Sequence, residues 1–363
     1  MEHMVFRGSA AVAPGEFDLA IEMCGGTSQA ATAVDSVQFA ATVPASRAAI
    51  ALTYLGDMLL ATALDPEEWG WEQAVIRHEI AEAASEPAVY QALLAAVFPG
   101  GAHSRDILGS EADLDRLTVD GLRAFHGDRY RPEHMVVAVV GGISLAATVG
   151  MVEEAFAGNL PPAASPEAIV APPCPPGGRQ TLTVPGLSTA QWWLGWAGPP
   201  ADCPREGLAL ELASAVLGEG RLSRLVATLR EEWGWVSDIG TAFSPSREGG
   251  VFVVRAQLAA DRLPAVAPVV SEILASLWQK GIAEGEWQRA KRALKNQFAF
   301  AMEDPSQLAA FLGYQVLAGN APWVADWSRT YPGWIDEMTP DYVQRIAQTY
   351  LGRSPAIVEA YPA

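Results

Sequence analysis

The chain has 363 residues, 50% of them hydrophobic, more than one ordinary core accommodates, which implies two domains. Its formal charge is −18, from 24 basic against 42 acidic residues, so it lacks the cationic footprint that nucleic-acid binding requires. Three cysteines, Cys24, Cys174 and Cys203, with no CxxC pair, exclude a disulfide framework and a zinc ribbon.

Residues 13–25 read as a helix, with Pro14 near its start and Gly25-Gly26 as its stop. Over residues 29–43, Val37, Phe39, Ala41 and Val43 alternate with polar or small residues, the pattern of one half-buried strand. Helices follow over 45–63 and 66–84. The second opens on Asp65-Pro66-Glu67-Glu68, which supplies an N-cap, an N1 proline and acidic first-turn residues. Thr118 begins another helix, and residues 135–140 read as a strand. The uncharged stretch 135–152 contains Gly141, Gly142 and Gly150, and a strand, a turn and a helix start account for it better than a membrane span.

Seven prolines between 160 and 178 mark a linker over 161–178, dividing an N-terminal domain, 1–160, from a C-terminal domain, 179–363. Beyond it lie strands around 189–196 and 250–258, and helices over 206–217, 220–230, 264–279, 284–303 and 306–318. Long helices mixed with antiparallel-looking strands in each half make the class α+β. The expected architecture is two homologous domains resembling α/β sandwiches, each a mostly antiparallel sheet covered by helices. The two halves also match each other. Leu64-Asp-Pro-Glu-Glu-Trp69 is answered by Ile282-Ala-Glu-Gly-Glu-Trp287, at an offset of 218. Leu117-Thr-Val-Asp…Tyr130…Met135-Val-Val-Ala-Val is answered by Met338-Thr-Pro-Asp…Tyr350…Ala356-Ile-Val-Glu-Ala. This is the pattern of an internal duplication. Under it Glu79 falls on Gln297, Glu72 on Ala290 and His3 on Arg221, so the carboxylates of the first half are not copied.

Glu72 and Glu79 stand seven residues apart, two helical turns, and so share a face. On spacing alone, with Glu67, Glu68, Glu82 and Glu86 nearby, a solvated acidic face is the simpler account. His78-Glu79-Ile-Ala-Glu82 is not the zinc motif HExxH, whose last position must be His.

Met1-Glu-His-Met-Val-Phe-Arg-Gly-Ser9 resembles the second half of the His-x-x-Glu-His motif of the pitrilysin/insulinase family of zinc peptidases, the inverzincins, with the residues that follow it there. Gly25-Gly-Thr-Ser-Gln-Ala-Ala-Thr32, with Asp35 and Phe39, is similar to that family's edge strand, and Glu72-(x6)-Glu79 to its paired glutamates. Tyr130-Arg-Pro-Glu-His-Met-Val-Val is similar to the strand closing its first domain, and Gly220-Arg-Leu-Ser-Arg-Leu…Leu229-Arg-Glu-Glu-Trp-Gly to a segment carrying substrate-binding Arg and Tyr. The resemblance implies His3 and Glu79 as ligands of Zn2+, Glu2 as general base and Glu72 as the carboxylate that orients the site. It implies that Arg230 binds substrate and that the strand at Gln29 and Ala30 pairs with substrate main chain.

Three departures stand out. The first motif His would lie two residues before Met1, Gln29 replaces an Asn, and Ser237 stands where the Tyr is expected. Met1 thus reads as an internal methionine, and without the family's preceding strands the first sheet should expose an edge. The implied function is a zinc-dependent metalloendopeptidase subunit cleaving peptides or unfolded polypeptide in a dimeric clamshell chamber, as a homodimer or with a homologous subunit. The alternative is a catalytically inactive partner of an active zinc peptidase; a metal-free acidic peptide-binding module is a third. Neither nucleic acid nor a membrane is an expected partner. The sequence does not fix the compartment: the cytoplasm is favoured over the periplasm, which stays open if a signal lies upstream of Met1.

Overall fold

The computed structural model describes residues 1–82, 85–157 and 177–363, so all of the expected linker but Gly177 and Gly178 lies outside the described residues. The first elements are α1 (Glu2–Val5), α2 (Glu16–Met23), β1 (Thr27–Thr32), β2 (Val37–Thr42), α3 (Ala48–Leu60), α4 (Pro66–Glu82) and α5 (Ser85–Val97). Then come α6 (Glu111–Arg116), α7 (Val119–Arg129), α8 (Leu145–Ala155), β3 (Arg179–Val184), β4 (Ala190–Ala197), α9 (Pro204–Leu217), β5 (Asp238–Ser244) and β6 (Val251–Leu258). The chain closes with α10 (Leu263–Gln279), α11 (Glu284–Glu303), α12 (Pro305–Gln315), α13 (Ala321–Val324), α14 (Trp327–Glu337), α15 (Pro340–Leu351) and β7 (Ala356–Pro362). The α+β class is as the pattern implies. Among the described residues, no helix is long and apolar enough to cross a membrane.

The chain folds into two compact units that are discontinuous in sequence. The first comprises residues 1–82, 107–168 and 301–317, the second 83–106, 169–300 and 318–363. In the first unit, β1 and β2 form an antiparallel hairpin, Gln29 opposite Ala40 and Ala30 opposite Phe39, closed by Ala33 N donating to Ser36 O. The single strand expected over 29–43 is therefore two. The alternation of apolar residues marks β2 alone, and the turn residues 33–36 lack the Gly or Pro that would have announced it. One apolar cluster joins Val5, Phe17, Ile21, Ala51, Met58 and Leu59; a second joins Met4, Leu64, Trp69, Leu114 and Leu122. Asp65 caps α4, its Oδ1 accepting from Glu67 N at 2.7 Å.

Residues 135–140 form no strand ladder. They are apolar and β-branched, but a strand needs a neighbour to hydrogen-bond, and among the described residues they have none; Val136, Val137 and Val139 are exposed. Their counterpart in the second half, β7, sits between β3 and β4. The same motif thus becomes a strand only where partners exist. Other matched features agree across the halves: Trp69 and Trp287 are both buried, and Thr118 and Thr339 both cap helices, accepting from Gly121 N at 3.1 Å and Tyr342 N at 3.3 Å.

The second unit is built on the sheet β3-β7-β4-β6-β5, antiparallel except for the parallel pair β3–β7. β3, β5 and β7 were not read as strands from the sequence. Strand β4 is buried along both faces. Trp192, Leu194 and Trp196 enter the main apolar cluster with α9, α10 and α15. Trp193 and Gly195 face α5, with Trp193 6.0 Å from the Tyr90 ring. Gly195 is the point of closest approach: a Cβ there would meet Val97 Cγ2 at 2.7 Å and Leu93 Cδ1 at 3.0 Å. The helix expected to run through Arg230 continues to Glu232 and is π-wound over Val226–Glu232.

Two stability predictions follow from this packing. Gly195→Val forces a branched side chain against Val97 and Leu93 and is expected to cost about 1–3 kcal/mol, read as a lowered midpoint in urea. The second concerns Glu211 on α9, which accepts from the Tyr331 hydroxyl on α14 at 2.8 Å. Burial pushes its carboxyl from the ordinary 4.5 up to about 7, against the lowering effect of Tyr331 and with the charge of Glu219 adding to the rise. The folded state then holds a proton that the unfolded state releases between these two values, so stability falls as pH rises through that window. Urea unfolding at pH values below and above the window should differ by on the order of 1–3 kcal/mol from this group, a difference that Glu211→Gln removes.

Candidate functional site

The site lies in the first unit, where α1 and α4 meet. The helix α1 is only four residues long, and two consecutive side chains hold it: Met4 is buried in one apolar cluster and Val5 in the other. The residues before them, Glu2 and His3, are left partly exposed. Gly8, just beyond, has φ +91°, and a Cβ there would meet Val12 O at 2.8 Å, so the turn carrying the chain away from α1 requires glycine.

From α4, Glu72 and Glu79 reach toward His3. The acidic face suggested by spacing alone is not solvated throughout: Glu72 is only 1% exposed, among the most buried charged groups in the chain. One turn earlier on the same helix, buried Trp69 anchors this face in the apolar cluster that carries Met4. A buried carboxylate needs partners. Its Oε2 accepts a hydrogen bond from His3 Nδ1 at 2.7 Å, and its Oε1 is ion-paired with Arg7. Because an ionised carboxylate only accepts, Nδ1 carries the proton, and Nε2 turns toward Glu79 Oε2, 3.5 Å away.

Two ligand atoms sharing one tetrahedral zinc ion at about 2.0–2.1 Å stand about 3.3–3.4 Å from each other. The spacing of His3 Nε2 and Glu79 Oε2 therefore fits donors facing one ion, and the bond from His3 Nδ1 to Glu72 is of the kind that sets the tautomer wherever a histidine binds metal. Among the described residues, no group of three His, Cys, Asp or Glu side chains is placed to hold a metal ion, so these two are the donors at hand. His78 takes no part: it pairs with Glu82 at 3.3 Å on the solvent side of α4.

Glu2 accepts a hydrogen bond from the Thr32 hydroxyl at the end of β1, which connects the carboxylate to the strand of Gln29 and Ala30. The outer edge of that strand has no ladder partner among the described residues. Tyr130, packed on Phe39 and stacked on His126, has a buried hydroxyl without a hydrogen-bond partner among the described residues. Burial, with the negative charge of Glu2 behind it, pushes this phenol up to about 12.

Arg230 belongs to the second unit. Its Nε and Nη2 donate to Glu231 Oε1 at 3.0 and 2.8 Å, and its Nη1 lies 3.6 Å from Asp238. Ser237, standing in the place of the expected Tyr, donates its hydroxyl to Gln257 O at 3.0 Å. The structure therefore brings His3, Glu72 and Glu79 together, and bonds Glu2 to Thr32 on the strand that carries Gln29 and Ala30. Arg7, Thr32 and Tyr130 all stand within motifs of the sequence, but only the fold shows what they touch.

Comparison with known proteins identifies the family. The family model described as insulinase (peptidase family M16) matches residues 1–111, and that of the peptidase M16 inactive domain matches residues 116–294. An uncharacterized zinc protease of Streptomyces coelicolor is 27% identical over 98% of this chain and 78% of its own length. The mitochondrial-processing peptidase subunit beta of Blastocladiella emersonii is 26% identical over 100% of this chain and 79% of its own length. The fold is that of a crystallised protease from Helicobacter pylori, with a TM-score of 0.87, 19% identity and coverage of 99% of this chain and 88% of that one. With one model matching its first part and the other most of the remainder, the chain belongs to the insulinase family of peptidases, M16.

Proposed function

We propose that the chain is a zinc-dependent metalloendopeptidase subunit acting on peptides or unfolded polypeptide. The observation that carries this reading is His3, held at Nδ1 by buried Glu72 with Nε2 turned to Glu79 at 3.5 Å. His3 and Glu79 would hold the ion. When bound, zinc lowers the pKa of a water molecule toward about 7 and polarises a carbonyl. The protein's own groups do the rest. Glu2, steadied by Thr32, takes the proton from the attacking water and delivers it to the leaving amine. The free edge of β1 at Gln29 and Ala30 receives substrate main chain as an added strand. Arg230 is the residue proposed to bind substrate. The names of the relatives, a zinc protease and a processing-peptidase subunit, support the zinc and assembly with a further subunit; that this partner is a like chain in a two-chain chamber is part of the proposal.

A second reading, a catalytically inactive partner of an active zinc peptidase, is favoured by one observation: Ser237 is bound to Gln257 O where a substrate-facing Tyr is expected.

The test is zinc titration against a chromophoric chelator, with hydrolysis of an internally quenched peptide. The peptidase reading expects zinc binding that His3→Ala and Glu79→Ala abolish, and a peptide cleavage rate that Glu2→Gln lowers about 10²–10⁴-fold. Cleavage unaffected by Glu2→Gln, or zinc binding no better in the wild type than in His3→Ala, sinks it. Zinc binding without cleavage assigns the partner role.

A further inference from the structure

The buried carboxylate at the centre of the site has two partners, and the function proposed above uses only one of them. Glu72 Oε2 is taken by His3 Nδ1; Oε1 is taken by Arg7, whose Nε also lies 3.9 Å from Glu68 Oε2. The Glu72 side chain is 2% exposed and that of Arg7 is 40% exposed, so the guanidinium reaches in from solvent to a carboxylate that cannot reach out. A buried carboxylate with one oxygen unpaired is costly, and it relieves the cost by turning toward water. That turn releases Nδ1 of His3.

We infer that Arg7 is a positioning residue that fixes the His3 imidazole through Glu72, holding its Nε2 toward Glu79. The inference rests on the zinc reading for its purpose, though not for its geometry. A planar guanidinium suits this task, since it pairs with a carboxylate in a fixed geometry and keeps its charge at every relevant pH.

The second half of the chain provides an independent observation. At the offset of 218 that pairs His3 with Arg221, Arg7 falls on Leu225 and Glu72 on Ala290. Leu225 and Ala290 are both buried, in one apolar cluster. Where the histidine is gone, the arginine and the glutamate are gone together, and apolar side chains fill their positions. That is the pattern of two residues acting as one unit.

The experiment reads the His3 tautomer in the metal-free full chain, from two-dimensional proton–nitrogen spectra of the imidazoles at about pH 9, where an imidazole is ordinarily neutral. His3→Gln assigns the signals. The wild type is expected to show His3 as a single Nδ1–H tautomer, and Arg7→Met a mixture of both. In a Glu72→Gln background Arg7→Met should change nothing further, because an amide oxygen accepts from Nδ1 without a charge to balance. Zinc titration against the chelator is expected to show about 10–100-fold weaker binding for Arg7→Met, and no additional loss in the Glu72→Gln background. An unchanged tautomer in folded Arg7→Met overturns the inference, as does an equal effect in both backgrounds. If Arg7→Met alone does not fold, recovery of folding on adding Glu72→Gln supports the inference and failure to recover overturns it. If the wild type binds no zinc, the peptidase reading fails while the tautomer still decides the role of Arg7.

Discussion

Burial of one carboxylate organises the active region. Glu72 sits in the interior of the first unit because α4 is anchored there by Trp69, and the cost of placing a charge in that position is offset only if both of its oxygens are paired. His3 and Arg7 provide the pairs, and each comes from the short segment around α1. That segment is in turn held by Met4 and Val5, which enter two different apolar clusters. Packing, charge satisfaction and site geometry are thus one arrangement: the apolar anchors set where α1 lies, and the carboxylate sets which way its histidine points.

The second half shows the same framework without the charge. The matched tryptophan is buried, the matched threonine caps its helix, and the position of Glu72 is held by Ala290. Nothing there needs an arginine or a histidine for compensation, and Leu225 and Arg221 occupy the matched positions, the latter paired with Glu231 at 2.6 Å on the surface. The fold tolerates both solutions because a buried methyl group carries no charge and the buried carboxylate has its charge balanced by Arg7 and its Oε2 bonded to His3.

Helices were the most legible part of the chain. Asp65-Pro66, Thr118 and the periodicity of α9, α10 and α11 announced themselves through caps and apolar spacing, which are local properties. Strands were less so. β3, β5 and β7 gave no clear local signal, and residues 135–140 gave a strong one without forming a ladder. The reason is physical: a helix closes its own hydrogen bonds, whereas a strand exists only through a neighbour that is distant in sequence. The hairpin of β1 and β2 reads as one strand for a related cause, since its turn at 33–36 has neither Gly nor Pro, the strongest breakers of an extended run.

The candidate site divides in the same way. From the order of residues alone came the class, the duplication, and the resemblance that singled out Glu2, His3, Glu72 and Glu79, because motif identity and spacing are written in the chain. Tertiary structure decided that Glu72 is buried rather than solvated, that His3 presents Nε2 and not Nδ1 to Glu79, and that Arg7 completes the set. It also decided that His78, one residue from Glu79, faces solvent and does nothing at the site. These outcomes depend on which surfaces meet when α1 packs on α4, and no stretch of sequence contains both sides of that contact.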